Sequence, residues 1–165
     1  MTKKRDKINY IWALVRIGLG WTFLWAFLDK LLGLGFSTAK ENAWLVGTSP
    51  TAGFLLHATK GPLVSVFKAI AGSAFVDWLF MIGLLLLGLS LILGIGVRIA
   101  SYAGSLLLFL MWLAILPPEH NPLLDEHIIY ILVLNGLAYV KAGRVWGLGI
   151  WWSKQKLVKK NPWME

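Results

Sequence analysis

Apolar residues gather into four long runs: Ile8–Leu34, Phe75–Val97, Ile99–Leu116 and Leu123–Val140. A hydrocarbon core about 30 Å thick is crossed by ~20 residues of helix, and each run approaches that length. The second carries a charge only at its start, Asp77, and the third carries none. The first is interrupted by Arg16, Asp29 and Lys30, and the fourth is long enough only if Leu123–His127 joins the helix. The pattern predicts an all-α membrane protein, a four-transmembrane-helix bundle.

Between the first two runs, residues 35–74 are long for a bundle connection. Turn residues punctuate the segment at GTSPTAG and at Gly61-Pro62. After Pro62, which suits a first helical turn, Leu63, Val66, Phe67 and Ile70 recur at helical spacing, with Lys60 and Lys68 off the stripe. Short interfacial helices are expected here, forming an outer cap in the first extracytoplasmic loop. The domain expectation is one unit over residues 1–152, followed by a basic cytoplasmic tail, 153–165.

Composition agrees with a lipid environment. Of 165 residues 58% are hydrophobic, ten are Trp and mean hydropathy is +0.68, more apolar surface than a soluble chain of this size can cover. Indole rings favour the headgroup layer. The N-terminal run is too long, and too charged, for a cleaved leader. The net charge of +8 sits at the edges of the apolar runs, which points to lipid headgroups and not to nucleic acid. No cysteine is present, which removes thiolate ligands and disulfide chemistry.

Basic residues orient the chain. Lys3, Lys4, Arg5 and Lys7 precede the first run, Arg98 separates the second and third, and Lys141, Arg144, Lys154, Lys156, Lys159 and Lys160 follow the fourth. The intervening loops carry only Lys40, Lys60 and Lys68. Both termini are therefore expected in the cytoplasm, with the chain in a prokaryotic plasma (inner) membrane.

Ionisable groups inside a span cost at least ~2.5 kcal/mol at the bilayer centre, so each needs a partner or a polar cavity. Arg16 can snorkel. Trp21, Trp25 and Asp29 follow at four-residue spacing, a Trp-lined face leading to a carboxylate. Lys30 points about 100° away, so Asp29 and Lys30 are either interfacial anchors or partners of other helices. Asp77 suits a helix N-terminus, and an ion pair with Lys30 beneath the cap is the sharper alternative. Ala100, Gly104, Ser101, Ser105, Gly83 and Gly88 read as close-packing positions.

His57, His120 and His127 share the outer side with Glu119, Asp125 and Glu126, yet their spacing matches no metal-ligand pattern and no bis-His haem. No metal is expected. His127 is the candidate for proton transfer, since histidine exchanges protons near neutrality; capping in a wet interface is the competing role. No nucleophile–base pair, phosphate loop or dinucleotide fingerprint is present. The chemistry left is proton-coupled, such as quinone reduction at an apolar–polar boundary.

Several words in order and spacing carry a resemblance: RIGLGWTFLWAFLDK, WLVGTSPTAGFL, GPLVSVF, MIGLLLLGLSLILGIGVRIA and PLLDEHIIYILVLNGLAYVKAGRVWGLGIWW. Over Arg16 to Trp152 the chain resembles the DoxX/DoxD-like membrane proteins, which include the small subunit of thiosulfate:quinone oxidoreductase. The resemblance implies a four-helix accessory or redox-partner subunit, with Arg16, Lys30, Asp77, Arg98, His127, Gly143 and Trp146 as carried-over positions. Where that family commonly has an acid after the Gly-Leu near the end, this chain has Gly149.

The resulting expectation is a subunit that binds a quinone or similar lipid-like redox carrier near the outer leaflet. His127, Asp77 and Lys30 would act on it, and Trp21, Trp25, Asp29, Lys30, Asp77 and His127 would line the pocket. Partners would be lipids and an oxidoreductase subunit for sulfur oxidation or oxidative stress, with homo-oligomerisation open. The alternative is a non-enzymatic anchor, scaffold or lipid carrier recruiting soluble partners through Lys154, Lys156, Lys159 and Lys160.

Overall fold

A computed structural model describes residues 2–119 and 121–165, with side chains from Lys7 onward. His120 and the side chains of Lys3, Lys4 and Arg5, invoked above, lie outside the described residues. Among these residues the regular structure is helical throughout. The long elements are α1 (Thr2–Leu32), α3 (Ala74–Leu93), α4 (Val97–Ala114) and α5 (Glu126–Tyr139), with short helices α2 (Val64–Ala69), α6 (Gly149–Ser153) and α7 (Lys156–Lys160).

Among the described residues three helices are long and apolar enough to cross a membrane: Lys7–Leu32 within α1, then α3 and α4. Only 28–33% of each spanning stretch is buried within the protein. Leu79, Leu86, Leu106 and Leu132 are outward and exposed. A soluble surface does not sustain that much apolar area, so the chain is membrane-embedded.

The element boundaries differ from the hydropathy runs for local reasons. The second run was expected to reach Val97, but α3 stops at Leu93 because Gly94 (φ 71°) and Gly96 (φ 60°) adopt left-handed backbone. Val97 therefore begins α4. The fourth run was expected from Leu123, yet α5 begins only at Glu126. Asn121 Oδ1 accepts from the N–H groups of Leu123 and Leu124 (both 3.0 Å), and Asp125 then caps the helix from extended backbone. Fourteen residues span about 21 Å, short of a full hydrocarbon core.

Packing rests on small residues at helix crossings. A Cβ on Gly20 would lie 2.9 Å from Ile92 N, and one on Gly88 2.7 Å from Leu24 Cβ, which sets α1 antiparallel against α3. A Cβ on Gly104 would meet Leu134 at 2.9 Å, drawing α4 onto α5. Gly83, by contrast, faces open space and packs nothing. Asn135 Nδ2 donates to Ser105 Oγ (3.1 Å) and Ile131 O (2.8 Å), a polar tie between α4 and α5. Leu19, Phe23, Leu87, Leu91, Leu134 and Leu137 form the shared core.

The cap is built from one-turn helices at 40–42, 44–46 and 54–58, followed by α2. Trp44 packs edge-on against Trp78 of α3 at 4.6 Å, and Lys60 N donates to Ala114 O (2.8 Å). The Leu63, Val66 and Ile70 stripe is exposed, not laid on the bundle. At the opposite end, α6 runs through the expected 152/153 boundary, and the tail folds back. Leu148 N donates to Leu93 O (2.8 Å), Arg98 N to Glu165 O (3.0 Å), and Trp152 Nε1 to Met164 O (2.8 Å).

Candidate functional site

Arg16 does not snorkel to water. Its side chain is fully buried, and Nη1 donates to Leu91 O and to Ile92 O (2.9 Å), while Nη2 donates to Val145 O (3.2 Å) and Trp146 O (2.8 Å). Leu91 and Ile92 belong to the last turn of α3, where carbonyls lack intrahelical donors and the helix dipole favours a cation. The guanidinium fork therefore ties the end of α3 to the turn that follows α5. Gly94 and Gly143 make room: a Cβ on Gly143 would lie 2.5 Å from Gly94 O, and one on Gly94 3.1 Å from Arg16 Nη1. Nε alone finds no partner.

At the cap end, the expected polar cluster resolves into separate local structures. Asp29 is buried and accepts from Phe36 N (3.2 Å), Ser37 N (2.9 Å) and Ser37 Oγ (2.6 Å). It closes the turn leaving α1, and among the described residues its side chain hydrogen-bonds to no other long helix. Trp21 and Trp25 stand 5.7 Å apart, and Trp25 meets Phe36 edge-on at 5.1 Å. The predicted aromatic face exists, and it leads to that closed turn.

Asp77 accepts from Ser49 Oγ (2.8 Å) and Thr51 Oγ1 (2.5 Å), fastening the cap to the first turn of α3. The expected Lys30–Asp77 ion pair is not formed. Gly20 meets Leu91 and Ile92 while Gly88 meets Leu24, a register that places Asp77 about 7 Å beyond Lys30 along the helix axis. Lys30 is half-buried and has no carboxylate within 4 Å among the described residues.

His127 is 9% exposed at the start of α5. Asp125 accepts at Oδ1 from His127 N (3.1 Å) and Ile128 N (3.3 Å), and its Oδ2 lies 2.8 Å from His127 Nδ1. With an ionised carboxylate as partner, which can only accept, the proton would sit on Nδ1 and Nε2 would be left as the second ring nitrogen. Asp125, Glu126 and His127 bring potential ligand atoms within 4.8 Å of one another. Asp125 is already committed to the cap and the imidazole, while Glu126 is exposed. His57 is exposed and remote from this pair in the chain.

Two features were not anticipated. A cavity of about 570 Å³ opens between α4 and α5, lined by Arg98, Tyr102, Asn135, Gly136, Ala138 and Tyr139. Asn135, the polar break in the fourth run beyond His127, and Arg98 were its sequence signals. The second is Glu165, which accepts from Lys141 Nζ (2.6 Å) and from Arg144 Nε (2.9 Å) and Nη2. Burial would raise its carboxyl, but the hydrogen bonds and charges of Lys141 and Arg144 outweigh that and hold it below the usual range. Glu165 and Gly149 line the same small recess. No acid fits at position 149 itself, where a Cβ would lie 2.5 Å from the Gly143 carbonyl carbon.

No family model, curated protein or solved structure matches the chain.

Proposed function

We propose that the protein is a DoxX-like integral membrane subunit with four spans and both termini cytoplasmic, binding a quinone or similar lipid-like redox carrier near the outer leaflet. The observation that carries this reading is the Asp125–His127 pair at the mouth of α5, a buried imidazole oriented by a carboxylate beside apolar helices. Reducing each quinone carbonyl to a hydroxyl takes one proton and one electron. His127 Nε2 would deliver protons, and a partner oxidoreductase subunit would supply electrons. Lys30, half-buried and without a carboxylate, is suited to donate to a carrier oxygen. Asp29, Asp77, Trp21 and Trp25 then shape the wall and do not touch the carrier's reacting atoms.

The test is extraction of the purified protein with its native lipids and measurement of bound quinone. His127→Gln should keep the carrier but slow its reduction in the assembled complex about 10²-fold, typical of a lost proton donor. Lys30→Ala should weaken retention. A protein that carries no quinone, with Lys30→Ala leaving quinone affinity unchanged, would end the proposal.

A second reading is a scaffold, supported by the exposed Lys154, Lys156, Lys159 and Lys160 beside exposed Trp151, Leu157 and Trp163. Changing those four lysines to Gln leaves Glu165 in place. Loss of complex assembly with quinone still bound would favour the scaffold.

A further inference from the structure

The cavity between α4 and α5 has the makings of a lipid site at the end of the bundle where the tail docks. Its volume falls in the range of small-molecule sites, ~300–1,000 Å³. Arg98 enters it from the first turn of α4, and among the described residues its side chain makes one hydrogen bond, from Nη1 to Pro162 O at 3.3 Å. No carboxylate lies within 4 Å of Arg98 among the described residues. Among the described residues the lining contains no acid, and Tyr102 and Tyr139 line it with Arg98, the two residues exposed by 56% and 89%. The nearby cations Lys141 and Arg144 are already engaged by Glu165, which leaves Arg98 as the open charge.

An apolar path leaves this polar mouth. Along α4, Tyr102, Leu106 and Phe109 succeed one another at helical spacing on one exposed face, and along α5 Tyr139, Leu132 and Ile129 do the same. Ser105 and Asn135, which meet between these helices, lie one residue before Leu106 on α4 and three residues after Leu132 on α5. A cation at the headgroup level with exposed aliphatic and aromatic side chains running toward mid-membrane matches an amphiphile with a charged head and acyl chains. A soluble anion would use the mouth and leave the path bare.

We infer that this groove binds an anionic phospholipid, with Arg98 holding the headgroup phosphate, Tyr102 and Tyr139 bracketing it, and the chains lying along Leu106 and Leu132. The site is separate from the cap-end carrier site and stands whether or not a quinone binds there. Charge-assisted contacts are the strong ones for a phosphate, and Arg presents a fork where Lys offers a point.

The full-length protein, reconstituted in nanodiscs and released for native mass spectrometry, gives the test. Phosphatidylglycerol should be retained at least tenfold over phosphatidylcholine. Arg98→Gln should abolish that preference, and Leu132→Trp, which fills the path without touching a charge, should reduce retention of phosphatidylglycerol several-fold. Arg144→Gln should leave the lipid preference unchanged, because that side chain faces Glu165. Equal retention of both lipids, or a preference that survives both Arg98→Gln and Leu132→Trp, overturns the inference. Displacement of phosphatidylglycerol by millimolar inorganic phosphate would assign a free-anion site and overturn it as well.

Discussion

Arg16 and Glu165 show how two single residues hold the tail end of the molecule. Arg16 is a full charge that, among the described residues, has no carboxylate within 4 Å and is balanced by four carbonyls. Removing it orphans those acceptors, so Arg16→Met should destabilise by about 3–5 kcal/mol, the scale of a broken buried charge contact. Arg16→Lys should recover only part of this, because one ammonium cannot reach both sides of the fork. Thermal unfolding in detergent checks both variants. Glu165 sets a pH dependence of defined sign. Its folded carboxyl lies below the ordinary value of 4.5, so its contribution to tail docking is complete above that value and is lost as pH falls through the lowered one. Hydrogen-exchange protection across 149–165, taken relative to the intrinsic exchange rate at each pH, should therefore fall on acidification in the native chain and show no such step in Glu165→Gln.

Among the elements, α5 is the one whose limits and function are most tightly joined. Asp125 both starts the helix and orients His127, and two substitutions separate these roles. Asp125→Ala removes the cap and should cost about 0.5–2 kcal/mol, with faster exchange at residues 126–129. Asp125→Asn keeps a capping oxygen and should leave exchange nearly unchanged while altering the pH dependence of any His127-linked proton transfer. The turn after α5 is similarly constrained by backbone contact. Gly143→Ala would push a methyl into Gly94 O, so it should lower the unfolding midpoint, whereas Gly83→Ala, facing open space, should not.

On the scale of the whole molecule, tail and cap occupy opposite ends of the bundle, since Leu148 and Arg98 fasten the tail to the α3–α4 turn while Ser49 and Thr51 fasten the cap to the start of α3. The chain contains no cysteine, so Asn42→Cys and Lys156→Cys provide clean labels. A membrane-impermeant thiol reagent should modify them from opposite faces of the membrane, and labelling of both from one face would contradict the arrangement. The membrane class and the three span-length apolar helices were legible in the sequence because hydropathy, helix period and glycine punctuation are local properties. The separate fates of Asp29, Asp77 and Lys30 were not legible, because a register offset of about 7 Å between α1 and α3 leaves no trace in either helix alone. Nor could a linear pattern show that Arg16 would find carbonyls as far as 130 residues away, or that Arg98 and Tyr139 would share a groove. Sequence alone determined the membrane class and the three helices long and apolar enough to span, through the free energy of transferring apolar surface. Tertiary structure alone decided which polar groups are spent on holding the fold and which stay open to a ligand, because that depends on the donors and acceptors distant segments bring together.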